Sequence, residues 1–233
     1  NNLLEYIAKN KSNYSKTLIY LLASYQYIGN FNMISRICLK YNGKDNNFLK
    51  FIDLQIRNPI KENKILKDIK SFSKIKDRIS LKVQSQYELN PYPRWTRITL
   101  GEKRNYNDYI NQQIHPNFID SKKINNLPNL LIAGCGTGRH TLYTASSVNA
   151  NITSIDISKA SLAYAKRESD KRNIKDIKFI QGDILDANKI DMKFDIIESI
   201  GVLHHMKDPD KGIESLLRVL KPGGFIKLGL YSK

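Results

Sequence analysis

From Asn129 onward, short apolar runs alternate with segments of helical periodicity, and this alternation constrains the fold more than any other feature of the chain. Strands that alternate with helices indicate βαβ units and a parallel sheet covered by helices on both faces. Such sheets bind ligands at the carboxyl ends of their strands. The sequence therefore predicts a Rossmann-like, doubly wound α/β domain over residues 129–233. We count five strand signals in it: NLLIA, NITSI, IKFIQ, FDIIES and GFIKLGL.

The first 80 residues have a different pattern, in which apolar side chains recur at helical spacing. The clearest case runs from Ser15 to Gly29, and these two residues are the expected N-cap and C-cap. A small all-helical domain is therefore predicted over residues 1–80. Two prolines in LKVQSQYELNPYPRW should end a helix near Leu89, so residues 81–128 are expected to connect the domains or to form a lid.

The first predicted strand of the α/β domain leads directly into a glycine-rich loop. Gly134, Gly136 and Gly138 give the spacing G-x-G-x-G, and glycine suits a tight turn that lies close to a ligand. A nicotinamide fingerprint needs a glycine at the sixth position, where this chain has Arg139, and no phosphate-loop G-K-[ST] follows. The loop is therefore expected to cradle another cofactor.

Acidic residues follow the next two predicted strands. Asp156 ends the second strand, where a carboxylate can accept both hydroxyls of an adenosine ribose. Asp183 follows the third strand, where it could receive the adenine amino group. The simpler alternatives are that Asp156 caps the following helix, a role that Ser158 also fits, and that Asp183 is a turn residue after Gly182.

These motifs together resemble the class I S-adenosylmethionine-dependent methyltransferases across residues 129–233. The segments that carry the resemblance are LLIAGCGTGRHT, ITSIDIS, FIQGDIL and FDIIESIGVLHHMKDPDKGIESLLRVLKPGG. It implies that S-adenosylmethionine binds with its methionine portion at the glycine loop, its ribose at Asp156 and its adenine at Asp183. We assign Cys135, Ile157, Ile184 and Ser199 to the same cofactor site. The family's sheet normally has seven strands, so the domain is expected to be incomplete at its C-terminal end.

The acceptor of the methyl group is expected to be a small molecule. GVLHHMKDP followed by LKPGGFIKLGLYS is similar to the subset that methylates small molecules, such as the quinone-biosynthesis type. His204 and His205 follow the fourth strand, where a base could take a proton from the acceptor. A purely structural role is the alternative for both histidines. LKPGG itself is predicted to be a turn.

The segment QYELNPYPRW is similar to one that precedes the catalytic domain in methyltransferases fused to helical repeats. Its Tyr92 and Trp95 could close over the cationic sulfonium of the cofactor, which makes them candidate cofactor contacts. Packing of these aromatic side chains in the protein core is the alternative.

Composition leaves two further functions open. The net charge is +16, and 22 of the 38 basic residues lie before residue 129, so a nucleic-acid or protein methyltransferase could use this half to hold its substrate. The alternative, which the scatter of the lysines favours, is that the charge reflects a coding bias toward A and T. An inactive methyltransferase-like binding protein is another possibility. Two cysteines and no long apolar run predict a reduced, cytoplasmic protein without a metal centre or membrane span.

Overall fold

The computed structural model describes residues 16–113 and 127–231. The chain divides into two compact units between Lys64 and Ile65. The division comes earlier than the expected boundary at residue 80 because Ile65, Leu66 and Ile69 pack into the core of the sheet-containing unit.

The described residues of the first unit form short helices. They are α1 (Lys16–Tyr25), α2 (Asn32–Leu39), α3 (Asn46–Ile52) and, after a π-helical turn at Asp53–Arg57, α4 (Asn58–Asp68), in which the division between the units falls. Their apolar faces enclose a core around Phe48, Ile28 and Ile52. Gly29 is not the C-cap of α1, since α1 ends at Tyr25 and Gly29 lies in a separate 3-10 turn. The expected N-cap, Ser15, lies outside the described residues.

Within residues 69–113, two further helices precede the sheet. Helix α5 (Arg78–Leu89) is capped by the Asp77 side chain and ends at the predicted residue. The segment 81–128, however, is more than a connection, because it contains most of α5 and also α6 (Tyr106–Gln113). Tyr106, Tyr109 and Ile110 of α6 are buried against the sheet, which stabilises a helix whose polar sequence gave little sign of it.

The sheet has five parallel strands in the order β3-β2-β1-β4-β5. The strands are β1 (Asn129–Ala133), β2 (Asn151–Asp156), β3 (Ile177–Gln181), β4 (Phe194–Ile200) and β5 (Leu220–Gly229), and the crossover helices are α7 (Arg139–Ser147), α8 (Lys159–Lys171) and α9 (Pro209–Leu217). This is the predicted Rossmann-like α/β fold. Alternate residues of β1 enter separate cores, Leu130 and Ile132 on one face and Leu131 and Ala133 on the other.

The LKPGG segment is not a turn outside the sheet. It belongs to β5, and a register shift lies between the pairs Phe194–Leu220 and Ile196–Phe225. The strand therefore starts earlier than GFIKLGL and takes up the proline and glycines as an irregularity in its pairing.

A short extended segment joins the sheet at the β3 edge. Phe72 donates from its backbone N–H to the Gln181 carbonyl at 3.0 Å, and Gln181 donates to the Lys70 carbonyl at 2.8 Å. A Cβ at Gly182 would lie 2.2 Å from the Phe72 ring, so glycine permits this close contact. No helix within the described ranges is long and apolar enough to cross a membrane.

Candidate cofactor and acceptor site

A cavity of about 1060 Å³ opens at the carboxyl ends of the strands, within the sheet-containing unit. Its lining includes the glycine loop after β1, Asp156 at the end of β2, Asp183 after β3 and the segment after β4. Because the strand order is β3-β2-β1-β4-β5, these groups follow one another along the sheet edge with the carboxylates at one end. The cavity therefore lies where the fold predicts a ligand.

Each glycine of the loop has a left-handed backbone, but the reasons for glycine differ. A Cβ at Gly134 would lie 2.5 Å from Val202 Cγ2, and a Cβ at Gly138 would lie 2.5 Å from the Cβ of Ala165. These two glycines serve close packing, and Gly138 does not line the cavity, so its assignment to the cofactor stays a prediction.

Gly136 is the glycine that leaves room for a ligand. Its φ is +52°, and a Cβ there would meet only the Tyr92 carbonyl oxygen, at 4.0 Å. The space in front of it belongs to the cavity. The loop thus provides a cradle that any side chain at position 136 would partly fill.

Asp156 holds this loop in place. Its Oδ2 accepts a hydrogen bond from the Gly136 N–H at 2.7 Å, and its Oδ1 accepts one from the Ser158 N–H at 2.9 Å. Burial raises the pKa of the Asp156 carboxyl, these hydrogen bonds oppose the shift, and the charge of Glu88 adds to it. Ser158 is itself the N-cap of α8, since its side chain accepts from Ser161 N. Asp156 is therefore free of the capping role, and lone pairs on its oxygens remain available to a ligand.

Asp183 combines a turn role with a place in the cavity wall. Its Oδ1 accepts a hydrogen bond from the Leu185 N–H at 3.0 Å and caps the 3-10 helix Ile184–Lys189. Asp183 is buried and lines the cavity, as do Ile157 and Ile184. The cavity wall near the ends of β2 and β3 thus combines the apolar side chains of Ile157 and Ile184 with the hydrogen-bond acceptor Asp183.

The segment around the two prolines is fixed to the glycine loop. The Thr137 hydroxyl donates to the Pro93 carbonyl at 2.7 Å, and Trp95 Nε1 donates to the Thr137 carbonyl at 3.1 Å. The Trp95 ring is buried edge-on against Tyr164, whose hydroxyl donates to the Trp95 carbonyl. Trp95 therefore stabilises the core and does not line the cavity, which contradicts its expected role in a lid. Tyr92 does line the cavity and is 73% exposed.

One face of α5 forms a wall that sequence reasoning missed. Ile79, Val83, Gln86 and Tyr87 line the cavity at spacings of four, three and one residues, as one helical face does. Ile79 and Val83 give this wall an apolar surface. Their helical periodicity was visible in the sequence, but nothing there indicated that this face meets a ligand cavity instead of a core.

The two histidines after β4 differ in their position relative to the cavity. His205 lines the cavity, whereas His204 does not. Both ring nitrogens of His204 are buried without a hydrogen-bond partner among the described residues, and its ring packs on His205 and Tyr231. Burial lowers the pKa of His204, and His205 lowers it further. His204 is therefore poorly placed to accept a proton from a substrate.

The surroundings of Ser199 and Cys135 differ from those expected for residues that contact a cofactor. The Ser199 hydroxyl donates to the Ala133 carbonyl at 3.1 Å, and Ser199 lies in the sheet instead of lining the cavity. Cys135 borders the cavity, but burial, followed by the charge of Asp156, raises the pKa of its thiol well above the usual value. The thiol stays protonated and is no nucleophile.

A contact between a histidine and a buried carboxylate borders the cavity and was not foreseen. His140, the second residue of α7, lines the cavity, and its Nε2 lies 2.7 Å from Oε2 of Glu198 in β4. Glu198 is fully buried. The sequence signal was a histidine immediately after the glycine loop, but its partner lies 58 residues away along the chain.

Comparison with known proteins finds matches for the C-terminal part of the chain. Residues 127–232 match a family model described as a methyltransferase domain. An uncharacterized protein of Synechococcus sp. is 41% identical over 108 residues, which are 46% of this chain and 26% of that protein. The 27-O-demethylrifamycin SV methyltransferase of Amycolatopsis mediterranei is 33% identical over 101 residues, 43% of this chain and 37% of that enzyme. The chain thus spans well under half of the length of either relative.

Among solved structures, a methyltransferase from Geobacter sulfurreducens in complex with S-adenosyl-L-homocysteine is 26% identical, with a TM-score of 0.38. The match covers 44% of this chain and 41% of that one. A putative S-adenosyl-L-methionine-dependent methyltransferase from Methanococcus maripaludis is 20% identical, with a TM-score of 0.43, over 67% of this chain and 66% of that one.

Proposed function

We propose, from the premise that residues 127–232 form a class I S-adenosylmethionine-dependent methyltransferase domain, that this chain binds S-adenosylmethionine and methylates a small molecule. The observation that carries the proposal is the pairing of Asp156 with the glycine loop. The carboxylate fixes Gly136 through its backbone N–H, and Gly136 leaves open space in front of it. A cradle and an adjacent acceptor suit an adenosine-bearing ligand.

The residues at the strand ends would hold the parts of the cofactor in order. Asp156 would accept the ribose hydroxyls, and Asp183 the adenine amino group. Ile157 and Ile184 offer apolar contacts to the adenine ring. The cradle at Gly136 would leave the methionine portion on the β1 side, toward the segment after β4.

S-adenosylmethionine, when bound, supplies an electrophilic methyl group on a sulfonium sulfur. The chain's own residues have to orient the acceptor and exclude water, since displacement at such a carbon depends on alignment. The α5 face and Tyr92 form the walls that would do so. His205 is the residue we assign to proton transfer from the acceptor, because it lines the cavity where His204 does not.

A small acceptor fits the dimensions of the site. The cavity is about 1060 Å³, enough for the cofactor and a further molecule of modest size. The relative from Amycolatopsis mediterranei is named for methylation of a demethylrifamycin, which is a small molecule. Apolar groups of α5 together with polar groups after β4 favour an acceptor with an apolar body and a hydroxyl or amine.

Calorimetry tests the cofactor part of the proposal. S-adenosylhomocysteine should bind, NAD⁺ should not, and Asp156→Ala should weaken S-adenosylhomocysteine binding by roughly 1–3 kcal/mol through the loss of hydrogen bonds to a charged group. Binding of NAD⁺ without S-adenosylhomocysteine binding contradicts the assignment.

Methyl transfer from isotope-labelled S-adenosylmethionine tests the acceptor class. The protein is incubated with a cell extract, which is then separated into metabolite, protein and nucleic-acid fractions. Label should appear in the metabolite fraction and should depend on Asp156. Label confined to protein or nucleic acid would show that the acceptor is a macromolecule, and no label despite cofactor binding would favour a binding protein without activity.

A further inference from the structure

Glu88 joins the end of α5 to the beginning of α8. Its Oε1 accepts a hydrogen bond from the Lys159 N–H at 2.7 Å, and its Oε2 accepts one from the Ala160 N–H at 3.0 Å. The two donors lie 71 and 72 residues further along the chain. Because one carboxylate makes both bonds, its orientation is fixed as well as its distance from α8.

This contact completes the hydrogen bonding at the N-terminus of α8. The first N–H groups of a helix have no acceptor within the helix. In α8, the Ser161 N–H donates to the Ser158 side chain, and the Ser158 N–H donates to Asp156. Glu88 accepts from the two N–H groups between them. One short stretch of backbone therefore connects α5 with Asp156, to which the proposed function assigns the cofactor ribose.

Glu88 occupies a position that its own helix does not favour. It is the next-to-last residue of α5, where the free carbonyl groups of a helix end repel an anion, and the last turn of α5 holds no basic residue. The N-terminus of α8, in contrast, attracts an anion. The location of this carboxylate is therefore explained by α8 and not by the stability of α5.

Helix α5 takes its position from polar contacts because little of it is buried. Among the described residues, the apolar cores contain no side chain of α5, and Ser80 is its buried residue. Ile79 and Val83 line the cavity, and Leu81 and Leu89 are exposed. A short helix without an apolar anchor depends on the contacts at its ends, and Glu88 provides two of them.

The chain after Glu88 is attached a second time, to the glycine loop. The Thr137 hydroxyl donates to the Pro93 carbonyl at 2.7 Å. Tyr92 lies between the two attachments along the chain, Tyr87 lies directly before the first, and both line the cavity. This wall of the cavity is thereby joined to the backbone segments that follow β1 and β2.

We propose that Glu88 is a positioning residue that couples the docking of α5 to the binding of the cofactor. Its carboxylate does not line the cavity, so it acts through the helices that it joins. A cofactor bound at Asp156 and an α5 wall docked on α8 then stabilise each other, because linkage between two equilibria is reciprocal. This inference rests on the proposed function, since it takes S-adenosylmethionine as the ligand.

Amide hydrogen exchange on the whole chain tests the contact. The Lys159 and Ala160 N–H groups should exchange slowly in the wild type, and more slowly when S-adenosylhomocysteine is bound. Glu88→Gln keeps the size of the side chain but removes the charge and replaces one acceptor by a donor. Exchange at both amides should then be at least about tenfold faster, whereas the Ser161 N–H, which donates to Ser158, should change less than about twofold.

Calorimetry with S-adenosylhomocysteine tests the coupling. Glu88→Gln should bind this ligand about three- to tenfold more weakly, because a smaller fraction of the protein has α5 docked. Glu102→Gln is the matched control, since it makes the same chemical change at a side chain that is 91% exposed and does not line the cavity. Its affinity should equal that of the wild type.

A double-variant cycle tests whether Glu88 acts through the wall. Tyr92→Ala should reduce the affinity for S-adenosylhomocysteine less in the Glu88→Gln background than in the wild type, because a wall that is not docked contacts the ligand less. Additive effects of the two substitutions would mean that Glu88 does not act through the wall, and would overturn the inference.

The outcomes separate the two proposals. If the wild type binds no S-adenosylhomocysteine, the proposed function fails and the coupling fails with it. If the wild type and Glu88→Gln bind it equally well, the coupling alone is wrong. The wild type suffices where the variant does not fold: fast exchange at Lys159 and Ala160, or exchange that bound S-adenosylhomocysteine leaves unchanged, would also overturn the inference.

Discussion

Trp95 donates its indole N–H to the Thr137 carbonyl at 3.1 Å, which joins the segment before the sheet to the middle of the glycine loop. Thr137 returns a hydrogen bond to Pro93 at 2.7 Å. The loop is thus held in place by Pro93 and Trp95 as well as by Asp156, so its shape depends on residues far away in the sequence.

Replacing Trp95 should affect stability first. Trp95→Phe keeps most of the packing against Tyr164 but removes the hydrogen bond, which should lower the free energy of unfolding by about 1 kcal/mol. Trp95→Ala should cost roughly 3–5 kcal/mol because it empties a buried site. Urea unfolding measures both, and a Trp95→Ala variant of wild-type stability would show that the ring is not core packing.

Tyr92 should behave in the opposite way. Its side chain is 73% exposed and lines the cavity, so Tyr92→Ala should change the free energy of unfolding by less than about 0.5 kcal/mol. The affinity of the Tyr92→Ala variant for S-adenosylhomocysteine should be lower than that of the wild type, which calorimetry can measure. Loss of stability without loss of affinity would place Tyr92 with Trp95 in the core.

Alanine at the two later loop glycines should separate ligand binding from packing. Gly138→Ala brings a Cβ within 2.5 Å of the Ala165 Cβ and should destabilise the fold by roughly 1–3 kcal/mol. Adding Ala165→Gly should recover part of this loss. Gly136→Ala meets no such clash, so it should cost only the roughly 1–2 kcal/mol of a left-handed backbone and should mainly weaken cofactor binding. Thermal unfolding and calorimetry together check the contrast, and equal effects of both variants on binding would contradict it.

The Asp156 carboxyl should give the apo protein a distinct pH dependence. Burial raises its folded-state pKa above the ordinary value of 3.8. The folded chain therefore holds this proton to higher pH than the unfolded chain does, and the free energy of unfolding falls as pH rises through that window. Asp156→Asn removes this contribution. Urea unfolding of both proteins from about pH 4 to pH 7 should show the wild type losing stability relative to the variant as pH rises; a relative gain would mean that the carboxylate is stabilised in the fold.

The two thiols should be inert in the folded protein. Burial raises the pKa of Cys38 to about 11 and that of Cys135 well above the usual value. Iodoacetamide at neutral pH should therefore leave both unmodified in the native chain and modify both in guanidinium chloride, as mass spectrometry can follow. Rapid native labelling at Cys135 would indicate an activated thiolate and a different role for the loop.

Local patterns predicted the sheet well, because a buried parallel strand is marked by its own apolar run and its own turn. They failed where the role of a side chain depends on a partner far along the chain. Trp95 belongs to the core because Tyr164 and Thr137 surround it, and no spacing within QYELNPYPRW encodes that. His140 could be recognised as part of the site only once β4 had brought Glu198 beneath α7.

The contacts of Pro93 and Trp95 with the glycine loop bear on how such a domain can be exchanged between proteins. The region that matches the methyltransferase domain model begins at residue 127. One wall of the cavity, however, consists of α5 and Tyr92, and Thr137 is hydrogen-bonded to Pro93 and Trp95. Recombination at the edge of the shared region would transfer the strands and the glycine loop but not α5, Pro93 and Trp95. A segment that keeps the whole cavity wall and the contacts of Thr137 therefore has to start upstream of residue 127, at or before Asp77, where the cap of α5 begins.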